Sequence, residues 1–250
     1  MRGVVSALYS ACVYAFFFAT FLFAIGFVEG MVPKTLDSGA AGQTTTALVI
    51  DLALLTLFAL QHSIMARPAF KRMWTRIVPQ EAERSTFVLF ASVVLALLMW
   101  QWRPMPQIVW NVSDSRAAEA LRTVSFVGWG IVLLSTFLIS HFHLFGISQG
   151  FARLFRLEPA EPKFLTPLLY RWIRHPIYTG FILAFWAAPK MSLGHLVFAF
   201  ATTGYILVGI WFEERDLVAE FGPRYAQYRE QVGMLIPKLR LHLSRPATER

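Results

Sequence analysis

Residues 4 to 28 read VVSALYSACVYAFFFATFLFAIGFV, from Val4 to Val28, 25 positions without a charge. A helix needs about 20 apolar residues to cross a hydrocarbon core of roughly 30 Å, so this run is long enough to span. It is too long for the apolar region of a cleaved leader and lacks a clean small-residue cleavage site. Lipid offers no partners to backbone N–H and C=O groups, so the span must be a helix. Cys12 lies inside the run as a small hydrophobe, and as the single cysteine it excludes a disulfide framework.

Further apolar blocks follow at Thr44 to Met65, Ser85 to Trp102, Thr123 to Ile147 and Ile177 to Phe212. The second span is interrupted by Asp51 and ends in the polar Gln61-His62-Ser63. Pro189 and Lys190 divide the last block into arms of about 12 and about 22 residues. The short arm alone cannot cross, so it is either a tilted partial helix or is extended by the residues before it. Leu217, Phe221, Tyr225, Tyr228 and Val232 then recur near helical spacing around a break at Gly222-Pro223, which reads as an amphipathic interfacial helix. The expected fold is all-α and integral to the membrane. It has five to six transmembrane helices, a C-terminal helical hairpin and a cytoplasmic amphipathic helix. No internal repeat or soluble second domain is visible, so residues 1–250 read as one domain. Residues 1–150 hold four spans, 151–237 the hairpin segment and 238–250 a tail.

The composition, 56% hydrophobic with a net charge of +8, places the positive charge by topology and not for nucleic acid. Of 23 Lys and Arg, 18 fall on one side of the spans and only five (Lys34, Arg103, Arg116, Arg122, Lys190) on the other. The positive-inside rule puts both termini, and both ends of the hairpin, in the cytoplasm.

Polar residues at membrane mouths are costly and mark function, and here they gather on the inner side. Gln61, His62, Ser63 and Arg67 close the second span; His141, His143, Ser148 and Gln149 close the fourth. Arg174-His175-Pro176-Ile177-Tyr178-Thr179-Gly180 opens the hairpin and Glu213-Glu214 ends it. Pro176 suits a first helical turn, whose free N–H groups then face a polar or anionic ligand. Gly180 permits close approach of a backbone or a cofactor. The two carboxylates suit a diol, an amino group or a cation.

These motifs, with Phe-Gly-x-x-Tyr-x-x-Tyr and Met-Leu-Ile-Pro between Phe221 and Pro237, resemble the isoprenylcysteine carboxyl methyltransferase and phospholipid methyltransferase superfamily. In the N-terminal half, Ala24 to Phe27, Val32 to Lys34, Gln61 to Pro68, Glu83 to Thr86 and Trp100 to Pro104 resemble the bacterial methanethiol S-methyltransferases. The resemblance implies a multi-pass enzyme of the bacterial inner membrane that methylates methanethiol to dimethyl sulfide, with S-adenosyl-methionine as cofactor and no metal. It implies a cofactor site at Arg174, His175, Pro176, Tyr178, Gly180, Glu213 and Glu214. Its partners are a small thiol and membrane lipid. One segment departs: where the family pattern carries Asp and Arg, this chain has His143 and Ser148.

A thiol with a pKa of about 8.5 or above is mostly protonated near neutrality, so a base is useful. His62 is the first choice, because Gln61, Ser63 and Arg67 gather beside it and Arg67 is placed to hold an anion. His141 is the second candidate and His143 the third. Asp51, 11 residues before His62 and roughly 16 Å along the helix, cannot touch it and needs a partner on another span. His195 falls on the far side and His242 in the tail. The alternatives are another acceptor on the same fold, an isoprenylcysteine carboxylate or a phospholipid amine, or a non-catalytic membrane assembly protein.

Overall fold

A computed structural model describes residues 2–39, 42–155 and 164–238. Five of its helices are long and apolar enough to cross a membrane: α1 (Arg2–Glu29), α2 (Thr44–Ala66), α4 (Gln80–Gln101), α5 (Ser115–Ile139) and α9 (Leu193–Phe221). Short helices α3 (Pro68–Trp74), α6 (His141–Leu144), α7 (Ile147–Phe155) and α10 (Pro223–Gln231) follow spans at one end of the bundle. At the other end β1 (Ile108–Asn111) and β2 (Lys190–Ser192) form a small antiparallel pair, with Ile108 opposite Ser192. Outward faces carry exposed apolar side chains such as Leu8, Phe200 and Trp211, as contact with hydrocarbon requires.

The fourth span differs from its expected bounds of Thr123 to Ile147. It starts eight residues earlier, at Ser115, because the Asp114 carboxylate accepts from Ala117 N at 2.7 Å and caps the helix before its charged first turns. It stops at Ile139, where the backbone leaves the helical region at Ser140. A tight turn at Gly146 follows, with φ +87°; a Cβ there would lie 2.5 Å from Ser85 Oγ. The polar His141 to Gln149 segment is thus a turn and two short helices, not the end of a span.

The short arm of the hairpin is α8 (Pro176–Trp186), 11 residues and roughly 16 Å long. It is a partial helix, and a 3-10 turn (Leu168–Arg171) and a bend precede it. It lies against α5 at very close range. A Cβ on Gly180 would meet Gly128 O at 2.5 Å, and one on Gly128 would meet Gly180 O at 2.6 Å. Small residues that let two helix backbones touch are a usual means of association in lipid. The main core joins α1, α2, α4, α5, α8 and α9 through Phe27, Leu55, Trp102, Trp129, Phe185 and Phe198.

Polar clamps close the end with the strands. Asp51 is fully buried and accepts from Arg103 N at 2.8 Å, so its partner lies just beyond the third span. Glu29 accepts from Ser125 Oγ at 2.6 Å and from Trp129 Nε1 at 2.7 Å. His195 sits here, 3.2 Å from Asp37, away from the other candidate histidines. His242 and the tail beyond Lys238 lie outside the described residues.

Candidate functional site

The sequence around Arg174 folds as it does because Pro176 starts α8 and the chain before it is held by a returning strand of backbone. Arg174 N donates to Gly233 O at 2.8 Å and His175 N to Met234 O at 3.1 Å, while Thr179 Oγ1 donates to Leu235 O at 2.8 Å. The Met-Leu-Ile-Pro segment therefore acts as a brace for the Arg-His-Pro segment. The first bond within α8 runs from Thr179 N to His175 O at 3.0 Å. By helix geometry the N–H groups of Ile177 and Tyr178 have no acceptor inside the helix.

Facing them on α9 are the two carboxylates. Glu214 Oε1 accepts from Arg174 Nε and Nη2, both at 2.7 Å, and lies 3.1 Å from His175 Nε2. Arg229 of α10 approaches its other oxygen at 3.8 Å. Glu213 Oε2 accepts from Tyr178 Oη at 2.8 Å. The Arg174 and Glu214 side chains are 8% and 12% exposed, and that of Glu213 is 43% exposed. One carboxylate is locked in a shielded ion pair, and the other stays open to a ligand. Arg174 also donates to the carbonyls of Arg229 and Val232, at 3.0 Å and 2.5 Å, fixing α10 over the site.

The expected interfacial helix over Leu217 to Val232 is divided: Leu217 and Phe221 belong to the end of α9, α10 starts at Pro223, and its tyrosines pack on the protein itself. Tyr225 is 2% exposed, and Phe164 lies against Phe221, Tyr225 and Tyr228. Tyr228 Oη donates to Tyr170 O at 2.5 Å. Burial, with Glu213 next in effect, pushes the Tyr170 phenol well up; burial and then Glu214 do so at Tyr225. Burial pushes Tyr228 up to about 12, against the pull of Arg174. All three phenols remain protonated near neutrality. The hydroxyls of Tyr170 and Tyr225 are buried with no hydrogen-bond partner among the described residues, a costly state that a bound polar group would relieve. A cleft of about 280 Å³ on the other side of Glu214 is lined by Trp211, Glu214, Arg215, Val218, Ala226 and Arg229.

Sequence reasoning missed Tyr170 and Phe164, because nothing in a lone aromatic before the motif separates it from an interfacial anchor. Gly180 belongs to the α5 contact, and its close approach is to a backbone. His62 sits on α2 and Arg67 just past its end, across from α9. Arg67 pairs with Asp216 at 2.9 Å and lies over the Phe212 ring at 4.9 Å, so its charge is already matched. His62 Nδ1 is buried with no partner among the described residues. His141 is placed differently: Nδ1 lies 2.8 Å from Thr136 Oγ1, Nε2 lies 2.8 Å from Tyr14 Oη, and Phe137 stacks on the ring at 4.2 Å. His143 is exposed, and Ser148 lies on α7.

Fold and site together define a polytopic helical membrane protein built round a recessed cation–carboxylate cluster. Comparison with known proteins gives the family. Methanethiol S-methyltransferase 1 of Bradyrhizobium diazoefficiens is 55% identical over 234 residues, covering 93% of this chain and 82% of that protein. The methanethiol S-methyltransferase of Mycobacterium tuberculosis is 50% identical over 238 residues, covering 95% and 98%. Nurim of Xenopus laevis is 30% identical over 192 residues, covering 72% and 66%. No family model and no solved structure matches. The chain belongs to the methanethiol S-methyltransferase family.

Proposed function

We propose that this protein methylates methanethiol to dimethyl sulfide with S-adenosyl-methionine as donor, at the end of the bundle that faces the cytoplasm. Both termini lie on that side, and the membrane is the bacterial inner membrane. The observation that carries the reading is the Arg174–His175–Tyr178–Glu213–Glu214 cluster, with unbonded phenols and free helix N–H groups round it, in a chain about half identical to named methanethiol S-methyltransferases.

The residues present fit the donor molecule. Its amino, carboxylate and diol groups are matched by an open carboxylate at Glu213, the N–H groups of Ile177 and Tyr178 that have no acceptor inside the helix, and the hydroxyls of Tyr170 and Tyr225, unbonded among the described residues. Bound, it supplies an electrophilic methyl group on a sulfonium. Arg174 and His175 hold Glu214 in place, and Tyr178 orients Glu213; these contacts preorganise the site. α10 and the Phe164 ring exclude water from it.

On the acceptor side His62 is the base. The thiol sulfur gains the methyl group and gives its proton to His62, so the products are dimethyl sulfide, S-adenosyl-homocysteine and a proton. Arg67, paired with Asp216, orders α2 against α9 and sets the position of His62. His141, with both ring nitrogens engaged, supports the α5–α1 contact instead. The test is dimethyl sulfide in the headspace above membranes that contain the protein and are given methanethiol and the donor. Product above that of membranes lacking the protein is expected. None, with the donor bound, transfers the reading to another acceptor.

A further inference from the structure

His62 Nδ1 is hidden as well as unpartnered. Three rings shield the imidazole: Phe58 stacks at 5.5 Å, Phe87 packs at 4.9 Å and Tyr205 stands edge-on at 6.5 Å and 90°. A thiol that is to reach Nδ1 has to pass beside these rings. Phe87 is 5% exposed and sits in a core cluster with Val13, Met65 and Val88, so its displacement would open a void in close-packed surroundings. Phe58 packs against the main core. Tyr205 is half-buried on α9 and belongs to neither core cluster. Of the three rings it is therefore the one least held by close packing.

We propose that Tyr205 is the movable wall of the acceptor site, a positioning residue that admits a thiol to His62 and limits its size. The inference rests on the reading of His62 as the acceptor base. Its place in the structure fits the task. Tyr205 touches Phe58 edge-on at 6.3 Å, and α9 carries it about two turns before Glu213. The same helix thus presents groups to both the proposed donor cluster and the base. When it swings away, the opened space is one ring wide and bounded by Phe58 and Phe87. Such a slot suits a one-carbon thiol and rejects a longer chain.

A methylene that an apolar slot cannot accommodate changes discrimination by roughly ten- to two-hundred-fold. Purified Tyr205→Phe, Tyr205→Leu and Tyr205→Ala are compared with wild type on methanethiol, ethanethiol and 1-propanethiol. Tyr205→Ala should raise kcat/KM for 1-propanethiol relative to methanethiol by about ten-fold or more, mainly through KM. Tyr205→Phe, which keeps the ring, should restore the wild-type order of preference. Should Tyr205→Ala fail to fold, Tyr205→Leu carries the same expectation in reduced degree. A folded variant lacking the ring but retaining the wild-type selectivity ratio overturns the proposal and leaves the methyltransferase reading intact. A wild type that methylates no thiol overturns both.

Discussion

Glu214 is met by Arg174, His175 and Arg229 at once, in a site where its side chain and that of Arg174 are nearly shielded from solvent. Removing one member of a buried pair leaves the other charge uncompensated, at a cost of about 3–5 kcal/mol. Glu214→Gln should therefore lower the thermal midpoint and weaken donor binding at least ten-fold by calorimetry; unchanged affinity would contradict the placement. His62→Ala should leave donor affinity alone and cut turnover by about 10²- to 10⁴-fold, the usual range for a positioned base. Unaltered turnover across pH would remove the assignment. His141 gives a third test. Burial holds its imidazole below the ordinary value of 6.5, so the folded state favours the neutral ring. That contribution to stability is full above about pH 6.5 and is lost as pH falls towards the depressed value. The thermal midpoint of His141→Gln should depend less on pH between 7 and 5 than that of wild type. At this scale the Arg174 and Glu213-Glu214 motifs were legible, since charges beside apolar runs stand out. Tyr205 and Tyr170 were not, because an aromatic in or beside an apolar helix looks the same whether it faces lipid, core or ligand.

Among the elements, the α5–α8 contact decides where the site sits. α8 spans about half the hydrocarbon thickness, and its start carries His175 and Tyr178 to Glu213 and Glu214 on α9. Gly180→Ala should force the helices apart, at about 1–3 kcal/mol for overpacking, and lower both the thermal midpoint and donor affinity. Gly130→Ala, where a Cβ meets nothing within 4 Å, is the control and should change neither. The spans were readable from length and charge. The stop at Ile139 was not, since Ser140-His141 interrupts the helix without a proline or glycine. Nor was the brace from Gly233 to Leu235, which consists of backbone hydrogen bonds that side-chain identity does not disclose.

For the whole molecule, the chain order brings α3, α7 and α10 to one end and the β1–β2 pair to the other. The proposed donor cluster and His62 share the first end, and the charge asymmetry of 18 against 5 is the ground for proposing that this end faces the cytoplasm. Composition could reveal the membrane; it held no information on the acceptor, which in our proposal is set by a slot that only tertiary packing forms. The central claim is methyl transfer from donor to thiol by this chain alone. Purified protein in detergent, given methanethiol and S-adenosyl-methionine with a trideuterated methyl group, should release dimethyl sulfide three mass units heavier than normal, analysed by mass spectrometry. Unlabelled product, or none while the donor binds, would contradict the account.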